Sequence, residues 1–361
     1  MFCNAPGGER MIADRMETSA DSSELWFVDP GHLDSVTTTK EGIVVDSQSA
    51  GTYSDIPAEQ TKTLLSRLAS QPWRQVLKDL YEQQNPWLYR IVTDPSRAMP
   101  MELLDFHGGN CCLDIGSGWG QLSIPMALGG CRVVALDLTL ERLRILRYIA
   151  RQEGADIALV KGNVLTFPFR PETFDMALFN GALEWVGTGR RAGETIRQCQ
   201  IAALRRVACA LKSGGLIYVG IENSVGLKYL MGARDDHTRL PFFSIRSEEE
   251  AEKVIRAAGG DRTPTKTWGL AQLTRLVEEA GLRVQAVYGC FPDYKLPRHL
   301  VPLDDVNQFL LQWEMDWTEH HGDDGEPIED QDAIRSAYRQ LADNGIGHWF
   351  CPSYAMMLVK P

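Results

Sequence analysis

From residue 111 onward, short apolar runs alternate with amphipathic stretches. Residues 111–115, 131–136, 157–160, 174–179 and 216–221 read as strands. Their apolar positions are nearly continuous, as in parallel strands covered on both faces. Residues 121–128, 140–152 and 196–211 read as helices. In the last of these, Leu204, Val207, Ala208 and Leu211 recur at i, i+3, i+4 and i+7. Strand–helix alternation of this kind predicts a doubly wound α/β domain.

The flanking segments follow other patterns. Residues 1–56 show no strong period and are rich in Ser, Thr, Asp and Gly, with one apolar patch at Leu25-Trp26-Phe27-Val28; a partly ordered extension is expected. Residues 57–107 predict a helical cap. Leu64, Leu65 and Leu68 form one stripe and Trp73, Val76, Leu77 and Leu80 another, and Pro86, Pro95 and Pro100 punctuate the helices that follow. The α/β domain is expected over 108–361, with insertions at 222–267 and 291–349. Between the insertions a helix carries Leu270, Leu273 and Val277 and ends at Gly281, and a strand follows at 282–288. Helices are predicted near 304–317 and 331–342, and a last strand at 353–359.

Composition narrows the class. A 44% hydrophobic content in 361 residues is enough for a sizeable core. The net charge of -11 argues against bulk electrostatic binding to nucleic acid. The strongest run of one sign, Glu319, Asp323, Asp324, Glu326, Glu329, Asp330 and Asp332, reads as a solvated loop. The eight cysteines lack CxxC or zinc-like spacing, which fits a reducing, cytoplasmic compartment. No signal-peptide layout opens the chain, and no apolar stretch approaches the roughly 20 residues of a membrane helix.

The chemistry begins at Leu113-Asp114-Ile115-Gly116-Ser117-Gly118-Trp119-Gly120, a strand, a glycine turn and a helix start. Glycine tolerates positive φ and lets a ligand approach the backbone, and a helix start offers free N–H groups. A dinucleotide turn reads G-x-G-x-x-G; here the third glycine comes one residue early, which disfavours a nicotinamide enzyme. Asp114 would repel a pyrophosphate and welcome an ammonium. Asp137 closes the next strand, where an acid can accept ribose hydroxyls. The amide oxygen of Asn163 and the N–H of Val164 could serve an adenine. An amino acid, a ribose and an adenine are together the parts of S-adenosylmethionine (SAM).

These residues resemble the ordered motifs of class I SAM-dependent methyltransferases. Leu136-Asp137, Gly162-Asn163-Val164, the run from Phe174 to Trp185 and Leu211-Lys212-Ser213-Gly214-Gly215 stand where that family has its second to fifth motifs. The resemblance is firm over about 108–222. It implies a Rossmann-like, seven-stranded sheet with the last strand antiparallel, and a cofactor held by Asp114, Gly116, Ser117, Gly118, Trp119, Gly120, Asp137, Leu138, Asn163, Val164, Asn180 and Gly181. Trp119, Trp185 and Tyr89 are candidate aromatic faces for the sulfonium.

The acceptor side is less standard. The Asp/Asn-Pro-Pro-aromatic run of nucleobase amino methyltransferases is missing after Asn180, and Trp185 stands where many small-molecule members have a histidine. A base is therefore sought at Glu222 or His237, with Asp236 orienting His237. Trp185, Tyr229, Tyr294 and Lys295 are candidate acceptor contacts. Adjacent Asp235, Asp236 and His237 do not by themselves make a metal site, and none is assigned. The runs Ile221-Glu222-Asn223, Gly226-Leu227-Lys228-Tyr229, Asp235-Asp236-His237-Thr238 and Pro292-Asp293-Tyr294-Lys295-Leu296-Pro297 resemble methyltransferases of bacterial polysaccharide and glycan pathways. Ser224-Val225 replaces the expected basic and aromatic pair. The expectation is O-methylation of a sugar, glycan or other polar metabolite. The alternatives are a peptide or N-directed methyltransferase and a non-catalytic scaffold of the same fold. Oligomeric state is not readable.

Overall fold

The computed structural model describes residues 25–47, 49, 56–188, 190–260, 265–312 and 331–361. The strands are β1 (Val36–Thr38), β2 (Val44–Asp46), β3 (Cys111–Ile115), β4 (Arg132–Asp137), β5 (Ile157–Lys161), β6 (Phe174–Asn180), β7 (Leu211–Glu222), β8 (Arg283–Phe291), β9 (His299–Pro302) and β10 (Ser353–Val359). They form one sheet in the order β1-β2-β5-β4-β3-β6-β7-β10-β8-β9. The strands from β2 through β5, β4, β3 and β6 to β7 pair in parallel, and β10 is antiparallel to both β7 and β8.

The expected count of seven strands is corrected to ten. The three extra strands are short edge pieces: β1 and β2 cover the open edge of β5, and β9 covers that of β8. Covering an edge satisfies backbone groups that would otherwise invite association. Val36–Thr38 and Val44–Asp46, assigned by sequence to the extension, thus contribute to the sheet. Residues 1–24, and the acidic positions from Glu319 to Asp330, lie outside the described residues.

The helices are α1 (Ala58–Leu68), α2 (Trp73–Tyr81), α3 (Pro86–Thr93), α4 (Ser123–Leu128), α5 (Leu140–Glu153), α6 (Ile196–Ala210), α7 (Leu227–Leu230), α8 (Glu248–Ala257), α9 (Leu270–Glu279), α10 (Val306–Gln312) and α11 (Gln331–Asp343). Period-2 alternation sorts the strand residues between two cores. Leu113, Leu136, Phe179 and Val219 face Leu204 of α6, Leu273 of α9 and Tyr338 of α11. Cys112, Ala135, Leu178 and Tyr218 face Met126 of α4 and Leu143 and Leu146 of α5. A third cluster joins Leu64, Leu68, Val76, Leu77 and Tyr81 of the first helices to Trp119, Ile145 and Ile149. Helix α5 is therefore apolar on two sides, one against the sheet and one against α1 and α2. Among the described residues the cysteines are free, and no helix is long and apolar enough to cross a membrane.

Two glycine-rich turns and the sheet order position the site. The chain runs from β3 outward to β4 and β5, then returns to β6 and β7 on the other side of β3. That reversal opens a crevice at the carboxyl ends of β3 and β6, where ligands of open α/β sheets bind.

Candidate active site

The turn after β3 leaves no room for a side chain at its first and third glycines. Gly116 has φ +72°, and a Cβ there would stand 2.7 Å from Ala182 Cβ. Gly120 has φ +93°, and its Cβ would run into Leu146 of α5. The N–H groups of Gly116 and Ser117 donate to Leu136 O at 2.8 and 3.1 Å, tying the turn to β4. Asp137, at the end of β4, extends the tie. Its carboxylate accepts from Gly118 N at 3.0 Å and from Thr139 N at 2.8 Å, with Arg142 Nη1 3.5 Å away.

Other expected cofactor contacts land differently. Asp114 is buried and accepts from Ser123 Oγ at 2.5 Å, so it anchors the first residue of α4. Burial pushes its carboxyl up to about 6, against the hydrogen bond from Ser123 and the charge of Arg97. The Trp119 ring turns into the helix cluster, edge-on to Tyr81 at 6.2 Å, and Tyr89 packs on the same cluster. At position 119 the turn therefore offers a ligand its backbone rather than an aromatic face. The amide oxygen of Asn163 accepts from Leu165 N at 2.9 Å, closing a local turn, and Val164 is buried beside it. Ser117 Oγ and both amide atoms of Asn180 are buried without a hydrogen-bond partner. Together with the glycine cradle, these groups fit a polar, nucleoside-sized ligand.

One short turn away lies a buried cluster of charges. Gly181 follows β6 at φ +70°, and a Cβ there would stand 2.5 Å from the Tyr294 hydroxyl. That hydroxyl is 3.4 Å from Glu184 Oε1 and 3.3 Å from Glu222 Oε1. Glu222 ends β7, and the next residue fixes its position. The Asn223 amide donates to the carbonyls of Trp349 and Cys351, each at 2.9 Å. Lys295 Nζ bridges Glu222 Oε1 and Asp236 Oδ2 at 2.8 Å each. Lys228 Nζ is 3.3 Å from Asp236 and 3.6 Å from Asp293. His237 Nε2 is 3.9 Å from Glu184 Oε1, His237 Nδ1 is 4.0 Å from Asp235 Oδ1, and Trp185 lies edge-on to the imidazole at 5.1 Å. Tyr229 is buried under Lys228, whose ammonium is 4.7 Å from its ring.

The chain thus gathers Glu222, Asp236, His237, Trp185, Tyr229, Tyr294 and Lys295, as their motifs suggested, but changes two roles. Asp236 does not orient His237. Neighbours in a turn point apart, and Asp236 faces Lys228 and Lys295 while Asp235 takes the N–H groups of His237 and Thr238. Burial alone would lower the His237 pKa, but the carboxylates of Glu184, Glu222 and Asp235 outweigh it and push the pKa up to about 9. His237 is then an imidazolium at neutral pH and presents no free lone pair, contrary to the base role expected of it. Burial raises the Glu222 carboxyl, with Lys295 opposing. Burial would also raise Asp236, yet the two lysines hold it below the usual carboxylate range. Glu184, Lys228 and Asp293 were missed as site residues. The available signal for Glu184 was an acid four residues beyond the end of β6, where α/β sites open.

Residues 112–215 match the family described as a methyltransferase domain. A ubiquinone biosynthesis O-methyltransferase from Methylobacterium nodulans is 29% identical over 201 residues, covering 53% of this chain and 64% of the relative. A demethylmenaquinone methyltransferase from Renibacterium salmoninarum is 28% identical over 191 residues, covering 51% and 68%. The chain thus spans less than two thirds of the first of these relatives. A Haemonchus contortus phosphoethanolamine N-methyltransferase 2, solved with S-adenosyl-L-methionine, aligns at TM-score 0.42 and 14% identity, covering 82% of this chain and 60% of that one. The match gives residues 112–215 the character of a methyltransferase domain.

Proposed function

We propose that this protein transfers a methyl group from SAM to a hydroxyl of a sugar, glycan or other polar metabolite in a reducing, cytoplasmic setting. The observation that carries the reading is the buried cluster of Glu184, Glu222, His237 and Tyr294, one turn from the glycine cradle. Bound SAM supplies an already activated methyl group, so the protein's work is to position, exclude water and accept a proton. Asp137 holds the ribose, and the backbone of 116–120 lies along the amino-acid end. Glu222 is the proton acceptor. It is 1% exposed, and its Oε2 has no partner, while Lys295 and Tyr294 hold Oε1. His237 and Lys295 balance the charge that appears when the acceptor loses its proton.

The name of the ubiquinone-pathway relative supports O-methylation. Quinone-pathway acceptors are a second reading, but so many buried charges suit a polar acceptor better than a lipophilic one. Calorimetry with S-adenosylhomocysteine (SAH), then methyl transfer from labelled SAM to paired hydroxyl and amine acceptors, tests the proposal. Glu222→Gln is expected to lower kcat by about 10²- to 10⁴-fold with SAH affinity unchanged. Absence of SAH binding would support the scaffold alternative, and label on amines only would move the reading to N-methylation. Full turnover in Glu222→Gln would remove it as the base.

A further inference from the structure

The charge cluster holds more carboxylates than its own cations neutralise. Glu184, Glu222, Asp235, Asp236 and Asp293 are gathered around three cations, the ammonium groups of Lys228 and Lys295 and the imidazolium of His237, all largely buried. The nearby Lys266 ammonium is directed to the carbonyls of Ser244 and Arg246. Excess buried negative charge is expensive unless something pairs with it. The lysines engage Glu222 Oε1 and Asp236 Oδ2. Glu184 Oε2 and Glu222 Oε2, on side chains 0% and 1% exposed, have no hydrogen-bond partner. Glu184, Glu222 and His237 each bring one potential ligand atom, and the three atoms lie within 4.8 Å of one another.

We propose that Glu184, Glu222 and His237 form a binding site for one divalent first-row metal ion on the acceptor side of the cofactor crevice. Ligand atoms around a four-coordinate zinc stand about 3.4 Å apart, given bonds of about 2.1 Å. Small side-chain rotations would close the present spacing, and the His237 imidazolium would release its proton to solvent as the ion takes its lone pair. One imidazole with two carboxylates suits Zn²⁺, Mn²⁺ or Co²⁺ better than Mg²⁺, which prefers an all-oxygen octahedron. Three protein ligands leave positions open for an acceptor oxygen, as in catalytic rather than structural sites. The three residues come from three places: the turn after β6, the end of β7, and the loop between α7 and α8.

The role of the ion in catalysis rests on the methyltransferase reading above; the binding site itself does not. In that role the acceptor hydroxyl coordinates the ion. Its proton passes to a carboxylate oxygen of Glu222 or Glu184 that the metal does not hold. The oxygen's electron pair forms the O–C bond as the C–S bond breaks, and that pair stays on sulfur. The ion is unchanged.

Titration of the purified chain with Co²⁺ tests the site without any variant. A visible d–d band that saturates at one Co²⁺ per chain and is displaced by Zn²⁺ is expected. Absence of the band, or saturation at several ions per chain, would overturn the inference. Zn²⁺ calorimetry on Glu184→Gln, Glu222→Gln and His237→Asn should show affinity at least tenfold weaker than wild type. Wild-type affinity in all three folded variants would also overturn it. SAH calorimetry runs in parallel. SAH binding without metal binding defeats this inference alone, whereas metal binding without methyl transfer defeats the functional reading alone.

Discussion

Asp137→Asn separates two jobs done by one carboxylate. In the folded protein Asp137 is 4% exposed and accepts from Gly118 N and Thr139 N at 3.0 and 2.8 Å. An asparagine offers one acceptor oxygen. Whichever way its amide turns, one of those two N–H groups then faces an NH₂. A hydrogen bond to a charged acceptor contributes about 1.5–3 kcal/mol. Relief from burying the charge offsets part of this, so we expect a net stability loss of about 1–2 kcal/mol. The ribose diol would also lose a charged acceptor for a neutral one. A 10- to 100-fold rise in SAH Kd is expected, equivalent to about 1.4–2.8 kcal/mol. Urea unfolding measures the first quantity and SAH calorimetry the second. If stability falls while SAH affinity stays within twofold, Asp137 is only a staple of the glycine turn and the assigned ribose site is wrong.

The Asp114 carboxyl holds its proton up to about pH 6, against 3.8 unfolded. The folded state therefore binds more protons than the unfolded one across that interval, and stability falls as pH rises from about 4 to 6, by roughly 2–3 kcal/mol. Asp114→Asn should flatten that part of the urea-unfolding profile; parallel profiles would remove the assignment. Gln200 is fully buried, donating to Leu183 O and Lys266 O and accepting from Trp268 Nε1. Gln200→Leu orphans all three groups and should cost about 3 kcal/mol or more in unfolding free energy; a loss below about 1 kcal/mol would mean the loops re-pair freely. Gly120→Ala combines a positive φ with a clash on Leu146. About 2–4 kcal/mol of lost stability is expected, and wild-type chemical denaturation would show that the turn can relax.

Much of the frame was readable before the structure. The limits predicted for β3 and β10 match those observed, and the helices from α5 to α6 agree within a residue. Those elements depend on apolar periodicity over five to fifteen neighbouring residues. The glycine turn was equally legible, because positive φ is a local demand that glycine meets best. The three-residue strands β1 and β2 and the four-residue β9 were not, since runs so short carry no period and form only against a neighbouring edge.

The sequence by itself determined the doubly wound order, the cradle at 116–120 and the acid at Asp137. These are properties of short stretches of backbone. Only the tertiary structure decided what the acids and bases do. Tyr294 meets Glu184 across 110 residues of chain, and Lys295 meets Asp236 across 59. That folding together turned Asp236 away from His237, brought Glu184 into the site and surrounded the imidazole with carboxylates. A side chain's charge state follows the field of its spatial neighbours, and no local pattern specifies which neighbours those will be.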